Sequence, residues 1–401
     1  MKAHPKTMIS EDVSWVGVLD REILTFDIVM ETKYGTTYNS YFINAERKAV
    51  VETVKASFWS EYLEKLRTLT DPSEIEYIIC NHTEPDHSGS VGYLLELAPD
   101  ATVVGSGQAL NYLAEMIEKP FKTLKVKDGD IIDLGNKHLR VIGAPNLHWP
   151  DSIYTYLEED RILFTCDSFG AHYADERVFD DLSDNYDEAF TYYFDVILKP
   201  YSKFMLKAIE KIRPLDIHIL CPGHGPVLRS TWKQRMEETA RLASEYLEET
   251  EKRNRVLVAY ISAYGYTKEM AQKIAEGILQ AGNIEVDLVD IEKMLLGDLE
   301  EKLVRADALL IGSPTINQNT LLPVYRLFSV MNPIRDKGKP AAAFGSYGWS
   351  GEAVKMIEDH LRNLKFNVME GLTSKFYPGG EKAVLFTDFG KDFGELVLAS
   401  E

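Results

Sequence analysis

Four metal-ligating side chains fall within the six residues His82-Thr83-Glu84-Pro85-Asp86-His87. Imidazoles and carboxylates crowded this closely are hard to account for as packing, because buried charge has to be paired or bound to a cation. Three more candidate ligands, His148, Asp167 and His224, follow at wide separations. Each of the four ligand-bearing segments comes at the end of a β-prone run: IEYIIC, LRVIGAPNL, RILFTC and DIHILCPG. Sheets whose strand ends gather loops commonly assemble a site from distant residues. The set comprises four imidazoles and three carboxylates. Two metals bridged by Asp167 would each receive two histidines, one terminal carboxylate and one bridging oxygen, with an open position left for a substrate. Such a mixed shell suits iron, and paired metals can clamp a small diatomic.

At 401 residues the chain is too long for one ordinary core, so two domains are expected. A formal charge of −19 argues against nucleic acid and against an anionic membrane surface as partners. The three cysteines, Cys80, Cys166 and Cys221, are scattered and odd in number. A disulfide framework is therefore not expected, and a reducing compartment fits. No C-x-x-C pair is present, so no cysteine-ligated cluster or rubredoxin-type centre is expected. With neither a signal-peptide pattern nor an apolar run of membrane-spanning length, the cytoplasm is the expected location. His4, His138, His218 and His360 lack a ligand context, and His218 reads as structural.

The first 60 residues read as short strands, EILTFDIVM, TTYNSYFIN and KAVVETV, followed by a helix at about 58–69 and an apolar strand from Ile75 to Cys80. A charged, helix-prone segment at about 229–253 closes the first domain. Beyond it, Val256–Ile261, EVDLVDI, ALLIGSP and PAAAFGSYG alternate with helical stretches, including KEMAQKIAEGILQAG and one at about 351–364. Alternation of this kind signals a parallel sheet with helices on both faces.

HTEPDH resembles the H-x-H-x-D-H signature of the metallo-β-lactamase fold, with Glu84 where a second histidine is usual. That exchange puts a hard anionic oxygen in place of a neutral nitrogen and moves the expectation from a zinc hydrolase towards a redox-active di-iron centre. HTEPDHSGS, LHWPDS (147–152), CDSFG (166–170) and CPGHGP (221–226) together resemble the flavodiiron proteins, or A-type flavoproteins. The resemblance implies an α/β chain: a metallo-β-lactamase-like αββα sandwich over 1–253, then a flavodoxin-like doubly wound parallel sheet over 254–401. It makes His82, Glu84 and His148 ligands of one iron, Asp86, His87 and His224 ligands of the other, and Asp167 the bridge. The role of His87 varies within the family. His172 and Tyr193 are candidates for tuning the choice of gas beside the metals.

Ser262-Ala263-Tyr264-Gly265-Tyr266-Thr267 lies between a strand and a helix and resembles the flavodoxin phosphate loop, where a helix N-terminus receives an anion. Two more loops follow strands: Pro314-Thr315-Ile316-Asn317, and Ser346-Tyr347-Gly348-Trp349-Ser350-Gly351. Pro314, Thr315 and Asn317 can contact a ring edge, and Tyr347 and Trp349 can stack on it. FMN is expected rather than a dinucleotide, since no G-x-G-x-x-G follows the first strand. The resemblance further implies reduction of dioxygen to water, of nitric oxide to nitrous oxide, or of both. Electrons would come from an external donor such as rubredoxin, a reductase or reduced deazaflavin, to a head-to-tail homodimer or dimer of dimers. A zinc hydrolase with a flavodoxin tail and a gas-binding sensor are the rival readings.

Overall fold

The structure is a computed structural model that describes all residues except 1–6, 27–29, 250–253, 377–378, 381 and 401. The chain divides into two compact units, Met1–Leu247 and Glu248–Glu401. Residue 253, where the sequence pattern ends the first domain, lies outside the described residues.

In the first unit a seven-stranded sheet faces a five-stranded one. The centre of the larger sheet is made by Tyr41–Ile43, Lys48–Val51, Ile75–Ile79 and Thr102–Gly105. The smaller runs from Ile131–Asp133 through His138–Gly143, Ile153–Leu157 and Ile162–Cys166 to Ile219–Pro222. Strand side chains alternate between faces, and both faces of the inner strands are buried. Ala49, Val51 and Ile79 from one sheet pack with Leu139, Val141, Ile162 and Phe164 from the other in a single inner core. Their neighbours Val50 and Ile78 point outward, under Tyr62, Leu66, Val91, Leu94 and Leu113 of the covering helices. Leu163 and Leu220 point out on the opposite side, beneath Phe190, Met205 and Ile209. Helix, sheet, sheet and helix thus form the four layers of the expected sandwich.

The N-terminal runs divide more finely than their β-propensity indicates. EILTFDIVM, with the glutamate that follows it, holds two antiparallel strands, Thr25–Phe26 and Met30–Glu31, with 27–29 outside the described residues. TTYNSYFIN splits into Thr36–Tyr38 and Tyr41–Ile43, which pair in different sheets. KAVVETV stops being a strand at Val51, because Glu52 takes φ +58°. Local propensity does not register where these strands end.

The second unit has a parallel sheet in which Glu285–Asp290, Arg255–Tyr260, Ala308–Gly312 and Pro340–Tyr347 lie in that order, with Asn367–Val368 and Leu372–Lys375 beyond. The strand numbering is 2-1-3-4-5, the flavodoxin order, whose switch point lies between the first and third strands. Both faces are covered, so the inner strands are buried without alternation, while the edge strand Glu285–Asp290 is not: Leu257, Ala259 and Ile311 face one helical layer, and Val256, Val258 and Leu310 the other. Helices Tyr266–Ala281 and Lys382–Ala399 pack so closely that a Cβ on Gly277 would lie 1.9 Å from the carbonyl oxygen of Thr387.

Candidate metal centre and flavin loops

All seven predicted ligands converge at the strand ends of the sandwich. His82, Glu84, His148 and Asp167 present ligand atoms to one point, and Asp86, His87 and His224 to a neighbouring one. Asp167 faces both. Its Oδ2 lies 3.3 Å from His82 Nε2 and 3.2 Å from His148 Nε2. Its Oδ1 lies 2.9 Å from His87 Nε2 and 3.5 Å from His224 Nε2. Glu84 Oε2 completes the first group at 3.2 Å from His82 Nε2 and 3.0 Å from His148 Nε2. Asp86 Oδ2 completes the second, 3.4 Å from His87 Nε2 and 3.2 Å from His224 Nε2. His87, the least certain position in the sequence, therefore turns its Nε2 into the second group.

Local backbone aims these groups. Pro85 opens a short helix, Pro85–Ser88, that turns Asp86 and His87 inward just after Glu84. Cys166 takes φ +46° and ends its strand abruptly, which puts Asp167 at the pocket. Gly223 is there because a Cβ would approach His87 Cε1 to 2.7 Å. Every ligand is buried except His148, which is partly exposed.

The donor set fits metal. Both oxygens of Asp86 and Oδ2 of Asp167 are buried with no hydrogen-bond partner among the described residues. Bare buried carboxylate oxygens are costly, and a bound cation removes that cost. The charges also act strongly on each other. Burial alone would drive the His87 and His148 imidazoles to lose their protons. The charge of Asp86 and Asp167 instead raises His87 to about 10, and Asp167 and Glu84 raise His148 to about 9. Burial would raise the Asp167 carboxyl, yet His87, His148 and His82 hold it well below the usual range. Metal binding therefore has to displace protons from the imidazoles.

Around the ligands lie groups that sequence reasoning did not single out. Asp151 accepts from Thr83 N–H and Thr83 Oγ1, each at 2.8 Å, and both its oxygens lie 3.3 Å from His82 Nδ1. The Thr37 carbonyl oxygen lies 2.6 Å from His224 Nδ1. Glu52 is 2% exposed and accepts from the Asn81 N–H at 2.8 Å; burial raises its carboxyl to about 8 against the pull of His87 and His82. The predicted pair beside the metals comes together as well. His172 Nδ1 is 2.9 Å from Thr36 Oγ1, its ring stacks on Phe26, and it meets the Tyr193 ring edge-on at 4.8 Å. The Tyr193 hydroxyl and His172 Nε2 are buried with no hydrogen-bond partner among the described residues. Burial and the charge of His224 keep His172 well below the ordinary imidazole value. Of the histidines given no role, His218 is 3.0 Å from Arg161 Nη1, and His4 lies outside the described residues. All three cysteines are buried and free.

In the second unit the three predicted loops follow adjacent parallel strands. Gly265 takes φ +87°, leaves open space where a Cβ would stand, and starts the Tyr266–Ala281 helix without a side-chain cap. Ser262 Oγ accepts from the Lys268 N–H at 3.2 Å. Thr267 Oγ1 and Ser346 Oγ lie 2.9 Å apart and tie the first loop to the third. Thr315 N–H donates to the Ser346 carbonyl at 2.9 Å and ties in the second. Asn317 and Gln318 both have positive φ and form a tight turn closed by Ile316 and Asn319. Tyr264 and Trp349 are about four-fifths exposed, at 82% and 81%. A helix N-terminus that opens on glycine beside solvent-facing aromatic rings suits a flat, phosphorylated ligand.

Two family models match the chain: the ODP family beta lactamase over residues 36–225 and Flavodoxin over residues 258–385. The flavo-diiron protein FprA2 of Clostridium acetobutylicum is 38% identical over 98% of this chain and all of its own length. The chain belongs to the flavodiiron family. A further relative of this flavodiiron chain is the type A flavoprotein fprA of Rhodobacter capsulatus, 38% identical over 96% of this chain and 89% of the relative. Among solved structures, the flavodiiron protein from Giardia intestinalis superposes with a TM-score of 0.65 at 30% identity, covering 100% of this chain and 98% of its own. Rubredoxin oxygen:oxidoreductase from Desulfovibrio gigas gives 0.68 at 26% identity, covering 99% of each chain.

Proposed function

We propose that this flavodiiron oxidoreductase reduces dioxygen, nitric oxide or both at a non-haem di-iron centre, with electrons passing through FMN from an external donor. The observation that carries this reading is the placing of Asp167, one oxygen towards each group of ligands. Family membership and the carboxylate-rich donor set disfavour the zinc-hydrolase and sensor readings.

His82, Glu84 and His148 would hold one iron, Asp86, His87 and His224 the other, and Asp167 both. Held there, iron and FMN would supply the electron-transfer chemistry that reduction of a small diatomic requires. The chain's own residues do the rest. The His82 and His224 imidazoles are oriented by their Nδ1 partners, and the walls of the sandwich keep bulk water away. His172 stays neutral in its buried setting, and Tyr193 keeps its proton, so the Tyr193 hydroxyl can donate a hydrogen bond from a ring whose centroid lies 6.0 Å from that of His224. The loops Ser262–Thr267, Pro314–Asn317 and Ser346–Gly351 would hold FMN, with Thr267 and the helix N-terminus at its phosphate and Trp349 at its ring.

Among the described residues no helix is long and apolar enough to cross a membrane, and the cytoplasm is the location proposed. A head-to-tail homodimer, or a dimer of such dimers, would bring the flavin of one chain to the metals of another. Rubredoxin, a separate reductase and reduced deazaflavin are the donor classes to compare. The test is steady-state consumption of each gas by iron-loaded, FMN-replete protein, with light scattering for mass. Sustained consumption of at least one gas is expected. Stoichiometric binding without turnover would restore the sensor reading.

A further inference from the structure

The two ligand groups match in kind but differ in what stands behind the imidazoles. In the first group, His82 Nδ1 faces both oxygens of Asp151 at 3.3 Å, and Asp151 is fully buried and pinned by Thr83. In the second, His224 Nδ1 faces only the neutral carbonyl of Thr37 at 2.6 Å and the hydroxyl of Thr36 at 3.3 Å. His87 Nδ1 is buried with no hydrogen-bond partner among the described residues. Each group has one carboxylate of its own and one oxygen of Asp167, so the primary donors balance. The buried Glu52 carboxyl acts on His82 and His87 alike and does not separate the groups, so the remaining difference is the full negative charge hydrogen-bonded behind His82.

A carboxylate behind a metal-binding imidazole fixes the Nδ1–H tautomer and makes Nε2 a stronger donor. A carbonyl fixes the tautomer but contributes only a dipole. An unpartnered Nδ1 leaves both ring orientation and tautomer to be settled by the metal. We propose that Asp151 is a positioning residue that makes the two iron positions unequal. The position bounded by His82, Glu84 and His148 retains its iron, and the one bounded by Asp86, His87 and His224 releases it first. The inference rests on the di-iron reading and goes beyond it by ranking the two positions.

The test starts from holoprotein carrying ⁵⁷Fe and FMN. A ferrous chelator, 2,2′-bipyridyl, is added anaerobically until about half the iron is gone, and occupancy is read by Mössbauer spectroscopy and by anomalous scattering in crystals. Iron remaining beside His82 is expected in the wild type. Asp151→Asn keeps the shape and the Thr83 contacts but removes the charge. It should weaken retention at this position about 10–100-fold and erase or invert the order, with FMN content unchanged. Equal loss from both positions in the wild type, loss beside His82 first, or an Asp151→Asn protein with the wild-type order would each overturn the proposal. If the variant does not fold, the order in the wild type decides alone. A wild-type holoprotein that never binds a second iron would instead contradict the di-iron reading itself.

Discussion

The metal pocket is buried and densely charged, whereas the flavin loops open to solvent at Tyr264 and Trp349 and carry no charged side chain. In the pocket, identity is everything: seven side chains of two chemical kinds face one another within a few ångströms. In the loops, backbone and small hydroxyls share the holding, through a helix start on Gly265 at φ +87° and hydrogen bonds that tie three loops together. The metal site is therefore expected to fail all at once when a ligand is lost, and the flavin site to weaken by degrees.

The sharpest break in that contrast comes from Asp167→Ala. Removing the residue that faces both groups should empty both iron positions and abolish gas consumption, while FMN absorbance per chain stays unchanged. Iron analysis and the flavin spectrum check both halves. His148→Ala should lower iron content and abolish turnover in the same way, flavin again retained. Tyr193→Phe leaves every ligand in place and removes one buried hydroxyl. Turnover should fall about 100-fold if that hydroxyl positions a proton, with iron and flavin contents at wild-type levels. Unchanged turnover would reduce Tyr193 to packing. Thr267→Ala removes one of several loop contacts, so FMN binding should weaken only about tenfold, with iron unaffected. Loss of both cofactors in either domain's variant would contradict the division of labour.

The smallest effect is one of pH. Without iron, His148 and His87 keep their protons up to about 9 and about 10, above the ordinary imidazole value of 6.5. Folded-state values raised in this way give stability that is complete below pH 6.5 and lost as pH rises through 9 and 10. Iron-stripped protein should therefore lose resistance to urea across that window. Loaded protein should not lose it there, because its imidazoles have already given up their protons to the metal. Parallel pH profiles for the two forms would contradict this.

The same contrast governs what is legible in the sequence. The ligands stand out because charge crowded at strand ends is too costly to bury without a cation. The second domain stands out because β–α alternation has a period. Asp151 sits inside the LHWPDS block, yet nothing in the string says that it turns back to His82. Thr37 acts through its carbonyl, which any residue type provides. Glu52 reads as an ordinary polar position in KAVVETV until its positive φ and burial are seen. The pairing of Thr25–Phe26 with Met30–Glu31 is hidden for a related reason: a run of β-formers reads as extended without saying where it divides.

The most direct measurement is anomalous diffraction at the iron edge from crystals of the purified holoprotein. Two peaks are predicted, one among His82, Glu84 and His148, the other among Asp86, His87 and His224, each beside its own oxygen of Asp167. A single peak, a zinc signal in place of iron, or a Glu84 carboxylate turned away from both ions would contradict the account.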